Sequence, residues 1–444
     1  MLANTKLRTA FLLGTFWLAS NGAYIRATAP GVEPRFDGCD LSFLIPPSPR
    51  SIRVAGNGNQ SPILSRRIFE MFGDFIKQGH SDIEDPYTKL VITAFRFDPC
   101  GPVYPNDGDM KKCVLPNIRL IAQVYDKGKA TTAALHMVFA LGVKLDQERT
   151  GIQLGVGFDP DVRRRVISEL LQMKARNAAN GIVTGGAPVG IHPAFSATWR
   201  DSARTREFEA EFEQFVRRFA VESAYFTTAV MFTQNPSVVP REESDGEERW
   251  VWEKANVVRR NPQTGQLLAV PTLVFGGIPG FDPNRTQQSL TANSESRHGT
   301  QISPASTIQN GGVPNSAILS ILKPASEFDW GRLQEAVDVA DTMDNPDRVF
   351  VQTDDCVSCH VASTARSYAL RDGRLSWVKR SNAFKVDARS AGLNGSLSPE
   401  DAIWQSSEGY RVMSLAFFKG RPSISQRVVN ETLQAARLLN RNSR

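Results

Sequence analysis

Few donors are available to build a site from: among 444 residues only five are cysteine and five are histidine. No pair of histidines stands three apart, and no second Cys-x-x-Cys accompanies the one at residues 356–359, so a tetrahedral zinc site lacks its ligands. There is no Walker-type loop, no Gly-x-Ser-x-Gly and no His-Glu-x-x-His. Those absences remove the usual signatures of nucleotide hydrolysis, serine hydrolysis and zinc proteolysis. Lys and Arg number 52 against 46 Asp and Glu, a formal charge of +6, with no run of one sign. Diffuse basicity of this kind gives no nucleic-acid arm. No apolar run of eighteen or more residues occurs, which excludes a membrane span in the mature chain. Hydrophobic residues make up 41% and charged residues 22%, enough apolar material to bury a core.

The start of the chain reads as a signal peptide over residues 1–23. Lys6 and Arg8 form a basic region, Thr9 to Ala19 an apolar stretch, and Ser20, Gly22 and Ala23 the small residues of a cleavage site. Export implies a soluble periplasmic or otherwise exported protein in an oxidising compartment, with no stable membrane insertion after cleavage. Disulfides persist there. Cys100 and Cys113 flank a turn-rich connection between two strand-like runs and are expected to pair, which closes a loop worth roughly 3 kcal/mol in the chain-entropy model. Cys39 is left over.

The fold class expected is α+β: an antiparallel β-rich region with helices over residues 30–285, then a mostly helical segment. Alternation and β-branched residues predict strands at Leu90 to Phe97, Asn117 to Tyr125, Ala224 to Thr233, Arg249 to Val258 and Gln266 to Phe275. The last two are joined by a turn at Asn261 to Gly265. Asp159-Pro160 predicts a capped helix start, with Val162, Val166, Leu170 and Met173 on one face and Asn180-Gly181 as the stop. Phe208, Phe212, Phe215 and Phe219 recur at helical spacing, a stripe that reads as core. Residues 284–316 are rich in Ser, Thr, Asn, Gln and Gly and read as a polar linker. Residues 317–444 then form the second unit.

That second unit contains Asp354-Asp355-Cys356-Val357-Ser358-Cys359-His360. Two residues between the thiols match the separation of the two vinyl groups of haem, and the adjacent histidine is aimed at the iron. With so few Cys and His in the chain, chance yields the pattern with a probability on the order of 10⁻³. A redox dithiol, half of a zinc site and a plain disulfide are the other uses of such a pair; no βαβ unit surrounds it to favour the first.

The segment 317–444 resembles the cytochrome c family through this motif and two flanking helical stretches. One is Trp330 to Thr342, with Leu333, Val337 and Ala340 on a face; the other is about Ser425 to Leu439, with Val428, Val429, Leu433, Ala436 and Leu439. The resemblance implies haem c as cofactor, thioether-linked to Cys356 and Cys359. His360 becomes the proximal ligand of the haem iron and Met413, the one methionine downstream, a candidate distal ligand. It further implies single-electron transfer with a redox partner protein. Two departures are visible: the stretch between His360 and Met413 is polar, and no proline soon follows the motif. A bis-histidine iron instead draws on His80, His136, His192 or His298. Trp377, Trp404, Arg366 and Arg374 are candidates to hold haem propionates. Two other functions stand beside electron transfer: a haem-dependent periplasmic oxidoreductase with an open sixth site or an N-terminal active site, and a non-haem envelope binding protein with a Cys356–Cys359 disulfide. The region before residue 285 matches no named family motif.

Overall fold

A computed structural model describes residues 35–70, 83–144, 157–234, 247–260, 267–269, 285–293, 301–302, 333–348 and 413–442, together with 360, 362–363, 366, 379 and 383–384. Within these spans residues 59, 102–103, 106–107, 114–115, 188, 197, 200–201, 223, 257 and 419 are not described. The expected signal peptide and both cysteines of the Cys-x-x-Cys-His lie outside the described residues.

The fold is α+β. Strands in chain order are β1 (Ser42–Leu44), β2 (Leu90–Asp98), β3 (Asn117–Asp126), β4 (Lys129–Leu141), β5 (Val143–Lys144), β6 (Gly157–Phe158), β7 (Gly190–Ile191), β8 (Ala224–Gln234), β9 (Glu247–Asn256), β10 (Val258–Arg260), β11 (Leu267–Ala269), β12 (Arg285–Asn293), β13 (Gln301–Ile302), β14 (Leu415–Phe418) and β15 (Arg421–Ile424). Helices are α1 (Gly38–Leu41), α2 (Arg66–Glu70), α3 (Pro160–Ala179), α4 (Ala203–Val216), α5 (Leu333–Met343) and α6 (Gln426–Asn442). Among the described residues nine strands form one sheet in the order β13-β12-β9-β8-β4-β3-β2-β1-β7, antiparallel except where β1 meets β7. The long meander β2-β3-β4 is its centre. Its second turn, Lys127-Gly128, has positive φ at both residues (47° and 83°), the two-residue geometry whose twist matches the strands it joins.

Register and the two-residue period of a strand divide the central side chains between two faces. Phe43, Phe95, Leu120 and Met137 lie across from one another on the first. Ser42, Arg96, Arg119 and Val138 form one row on the second, and Leu44, Ala94, Ile121 and His136 the next. The first face is apolar and takes the phenylalanine stripe of α4: Phe212 meets Phe43 at 5.3 Å and Phe95 at 5.2 Å, and Phe215 meets Phe95 at 5.7 Å between ring centres. Burying each such ring is worth roughly 1.5–3 kcal/mol. Helix α3 starts as expected, with Asp159 accepting from the Asp161 amide at 2.9 Å, and the Cys100–Cys113 disulfide is present. Cys39 is a buried thiol donating to the Thr184 carbonyl at 3.3 Å.

The second face carries charge, and the C-terminal segment covers it. Glu431 of α6 is paired with Arg96, and its other oxygen accepts from Arg427 Nε at 2.6 Å. Arg119 stands 3.9 Å from Glu431 and 3.5 Å from Asp98. Asp98 also accepts from the Cys100 and Gly101 amides and from the Tyr104 hydroxyl, at 3.0, 2.8 and 2.7 Å. Thr432 donates to Ser42 at 2.7 Å, and Asn440 exchanges hydrogen bonds with the Phe36 backbone at 2.8 and 3.0 Å. Helices α5 and α6 occupy the stretches expected to be helical, joined by Arg427 donating to the Met343 carbonyl and Asn430 to that of Asp344. Their apolar residues belong to the same buried cluster as the sheet, so the division expected at residue 317 is not visible in the packing of the described residues. In the stretch expected as a linker, Arg285–Asn293 is a strand paired with β9 along its length. An outer strand is held by backbone hydrogen bonds and needs no large apolar side chain.

Burial alone would push the Glu431 carboxyl up, but Arg96, Arg427 and Arg119 outweigh it and hold the group well below the usual carboxylate range. A carboxyl whose folded value lies below its unfolded value of about 4.3 stabilises the fold above that pH and loses the contribution as acid protonates it. Urea unfolding from pH 7 to pH 2 is therefore expected to show a midpoint that falls below about pH 4. Glu431→Gln, which leaves Arg96 buried without its counter-charge, is expected to cost about 3–5 kcal/mol at pH 7 and to flatten that acid limb.

Candidate functional site

The hairpin β14–β15 lies on the second face, and one glutamine of the sheet fixes it. Gln123 accepts from the Phe417 amide at 2.8 Å and donates to the Phe417 carbonyl at 2.6 Å, while Thr93 steadies its oxygen at 3.0 Å. All three residues are buried, so Gln123 supplies the ladder partners that β14 would otherwise lack. Ser425 closes the hairpin by donating to the Ser414 carbonyl at 2.9 Å. The two residues before β14, Met413 and Ser414, are thereby held over the centre of the sheet.

His360 is clipped to that segment twice. The Met413 amide donates to the His360 carbonyl at 2.9 Å, and His360 Nδ1 lies 2.9 Å from the Met413 carbonyl oxygen. A carbonyl only accepts, so Nδ1 carries the ring proton and Nε2 the lone pair of the neutral imidazole. From the sheet side, His136 Nε2 lies 3.2 Å from the Ser414 hydroxyl, and the two imidazole centres are 6.2 Å apart with planes at 59°. Burial lowers His360 to about 4, against the opposing pull of the Met413 carbonyl. Burial, then His360 and Arg119, lowers His136 to about 3. Both rings are neutral at physiological pH, the form in which imidazole binds a metal.

The helical residues after His360 are anchored to α5 and α6. Ser363 donates to Asp344 at 3.1 Å and accepts from the Gln426 amide at 2.8 Å. Arg366 donates to Asp344 at 2.7 Å and to Gln426 at 3.3 Å. Arg366, considered above for a propionate, is 3% exposed and engaged in this network.

Of the sequence candidates, His360 and Met413 are brought together, through the Met413 amide and carbonyl. Cys356, Cys359, His80, His298, Trp377, Trp404 and Arg374 lie outside the described residues. His192 sits on the other face of the sheet, stacked on Phe208 at 4.3 Å, its Nδ1 accepting from the Ala194 amide at 3.1 Å. His136, which the sequence reads as a core residue or a candidate second imidazole, reaches the site through its place in β4. Gln123 and Ser414 had no sequence signal. Among the described residues no group of three or more His, Cys, Asp or Glu side chains is arranged to hold a metal ion. Among them, no helix is long and apolar enough to cross a membrane.

Gln123→Leu removes both partners of Phe417 and is expected to cost about 2–4 kcal/mol in urea unfolding, against about 1 kcal/mol or less for an exposed Gln→Leu change. No family model, no curated protein and no solved structure matches the chain.

Proposed function

We propose that the chain is an exported c-type haem protein that transfers single electrons. One haem is held through thioethers to Cys356 and Cys359, with His360 on the iron. The observation that carries this reading is the Cys-x-x-Cys-His sequence ending in an imidazole whose Nδ1–H is fastened to a backbone carbonyl. That bond fixes the tautomer and ring orientation and raises the basicity of Nε2, as an outer partner does for metal-bound histidines generally. The donor set fits the group: a neutral, partly buried imidazole held against the Met413 backbone, in a segment where Ala362, Met413, Ala416 and Phe417 are buried. When bound, the haem supplies a ferric–ferrous couple tuned by axial ligand, burial and hydrogen bonding. The chain's own part would be to hold the group through Cys356 and Cys359 and to orient His360 through the Met413 carbonyl. A signal peptide at residues 1–23 and a redox partner protein belong to the same reading.

The test is an alkaline pyridine spectrum on denatured protein purified from an exporting host that installs haem c. Haem is expected to stay with the polypeptide after acidified-solvent extraction. Cys356→Ser and Cys359→Ser should each give the spectrum of a single thioether, and the double variant should lose the haem on extraction. A colourless wild-type chain from such cells overturns the reading.

A further inference from the structure

We infer that the Cys100–Cys113 disulfide is a redox latch on the C-terminal helix α6: oxidised, it holds the helix on the sheet, and reduced, it lets the helix lift. The inference stands apart from the haem reading above. The bridge closes the connection between β2 and β3. Among the described residues it packs with Leu438 of α6 in a buried cluster separate from the main one, and Tyr104 and Met110 lie partly buried against it. Cys100, Cys113 and Leu438 are each no more than 4% exposed.

The loop that the bridge closes also carries the seat for the end of α6. Asn442 Nδ2 donates to the Gly108 carbonyl at 3.1 Å, and from another side Arg163 of α3 donates to the Met110 carbonyl at 2.9 Å. At the loop's start Asp98 gathers the Cys100 and Gly101 amides and the Tyr104 hydroxyl, and it stands 3.5 Å from Arg119. One loop thus meets α6, α3 and the charged row that Glu431 enters. Freeing it loosens the seat of α6, while the meander β2-β3-β4 keeps its own backbone pairing.

The coupling runs both ways. A thiolate must reach a disulfide sulfur to break the bond, and Leu438 packs over this bridge, so α6 has to lift before the bridge is reduced. By linkage, a docked α6 that favours the bridge is itself favoured by the bridge. With a dithiol as reductant, its first thiolate breaks the S–S bond through a mixed disulfide and its second thiol releases the pair. Cys100 and Cys113 together gain two electrons and two protons, and the reductant leaves as its own disulfide. The hairpin β14–β15 runs into α6 through Ser425, so lifting the helix draws away the segment that binds Gln123 and holds Met413 and Ser414 against the two imidazoles.

The test is hydrogen exchange on the full chain, with the bridge intact and after dithiothreitol and alkylation, peptide mapping showing which thiols were freed. Reduction is expected to speed amide exchange over residues 426–442 at least about tenfold more than over β3 and β4. A plain staple acts through the unfolded chain and speeds all of them alike, so equal acceleration, or none, overturns the inference. Leu438→Ala, with the bridge still formed, should speed its reduction by dithiothreitol at least about tenfold, whereas Leu170→Ala in the main cluster should leave that rate within about twofold of wild type. Equal rates in the two variants overturn the inference, and this comparison decides the matter even where the reduced chain does not stay folded.

Discussion

Charged and amide side chains on the buried second face of the sheet are the constraint from which the rest of the architecture follows. Arg96, Asp98 and Gln123 stand on central strands with no more than 3% of their surface exposed. Left without partners, each would cost several kcal/mol. The partners come from the far end of the chain: Glu431 for the arginine, the Phe417 backbone for the glutamine. A purely apolar second face could accept many helices in many registers. This one accepts a hairpin and a helix in one register, and that register sets Met413 and Ser414 over His136.

The site is a by-product of that docking as much as of the Cys-x-x-Cys-His itself. Gln123 holds β14, β14 holds Met413 and Ser414, and those two residues touch the two imidazoles. The network of Ser363, Arg366, Asp344 and Gln426 ties the turn after His360 to both C-terminal helices. Orientation of His360 is thus determined from two sides. A rigid surround of this kind limits reorganisation around the imidazole.

Legibility in the sequence followed the range of the interactions. Helix α3 was readable from Asp159-Pro160 at one end and Asn180-Gly181 at the other, and β2 and β3 from their β-branched residues, because these signals act within one element. The phenylalanine stripe named its own helix face for the same reason. Strand β4 was not: in the run Ala-Ala-Leu-His-Met-Val-Phe-Ala-Leu nearly every residue is apolar, so no alternation marks it. Strand β12, all but bare of large apolar residues, is held by backbone pairing with β9 and gave no side-chain signal. Pairings between residues such as Arg96 and Glu431 leave no local trace. The Cys-x-x-Cys-His motif was legible and the approach of His136 to His360 was not, since only the sheet register places it.

The most direct measurement is the intact mass of the mature chain from cells that install haem c. The account predicts a single species heavier than the polypeptide by one haem, unchanged by denaturation and reduction. A mature chain of bare polypeptide mass from those cells contradicts it.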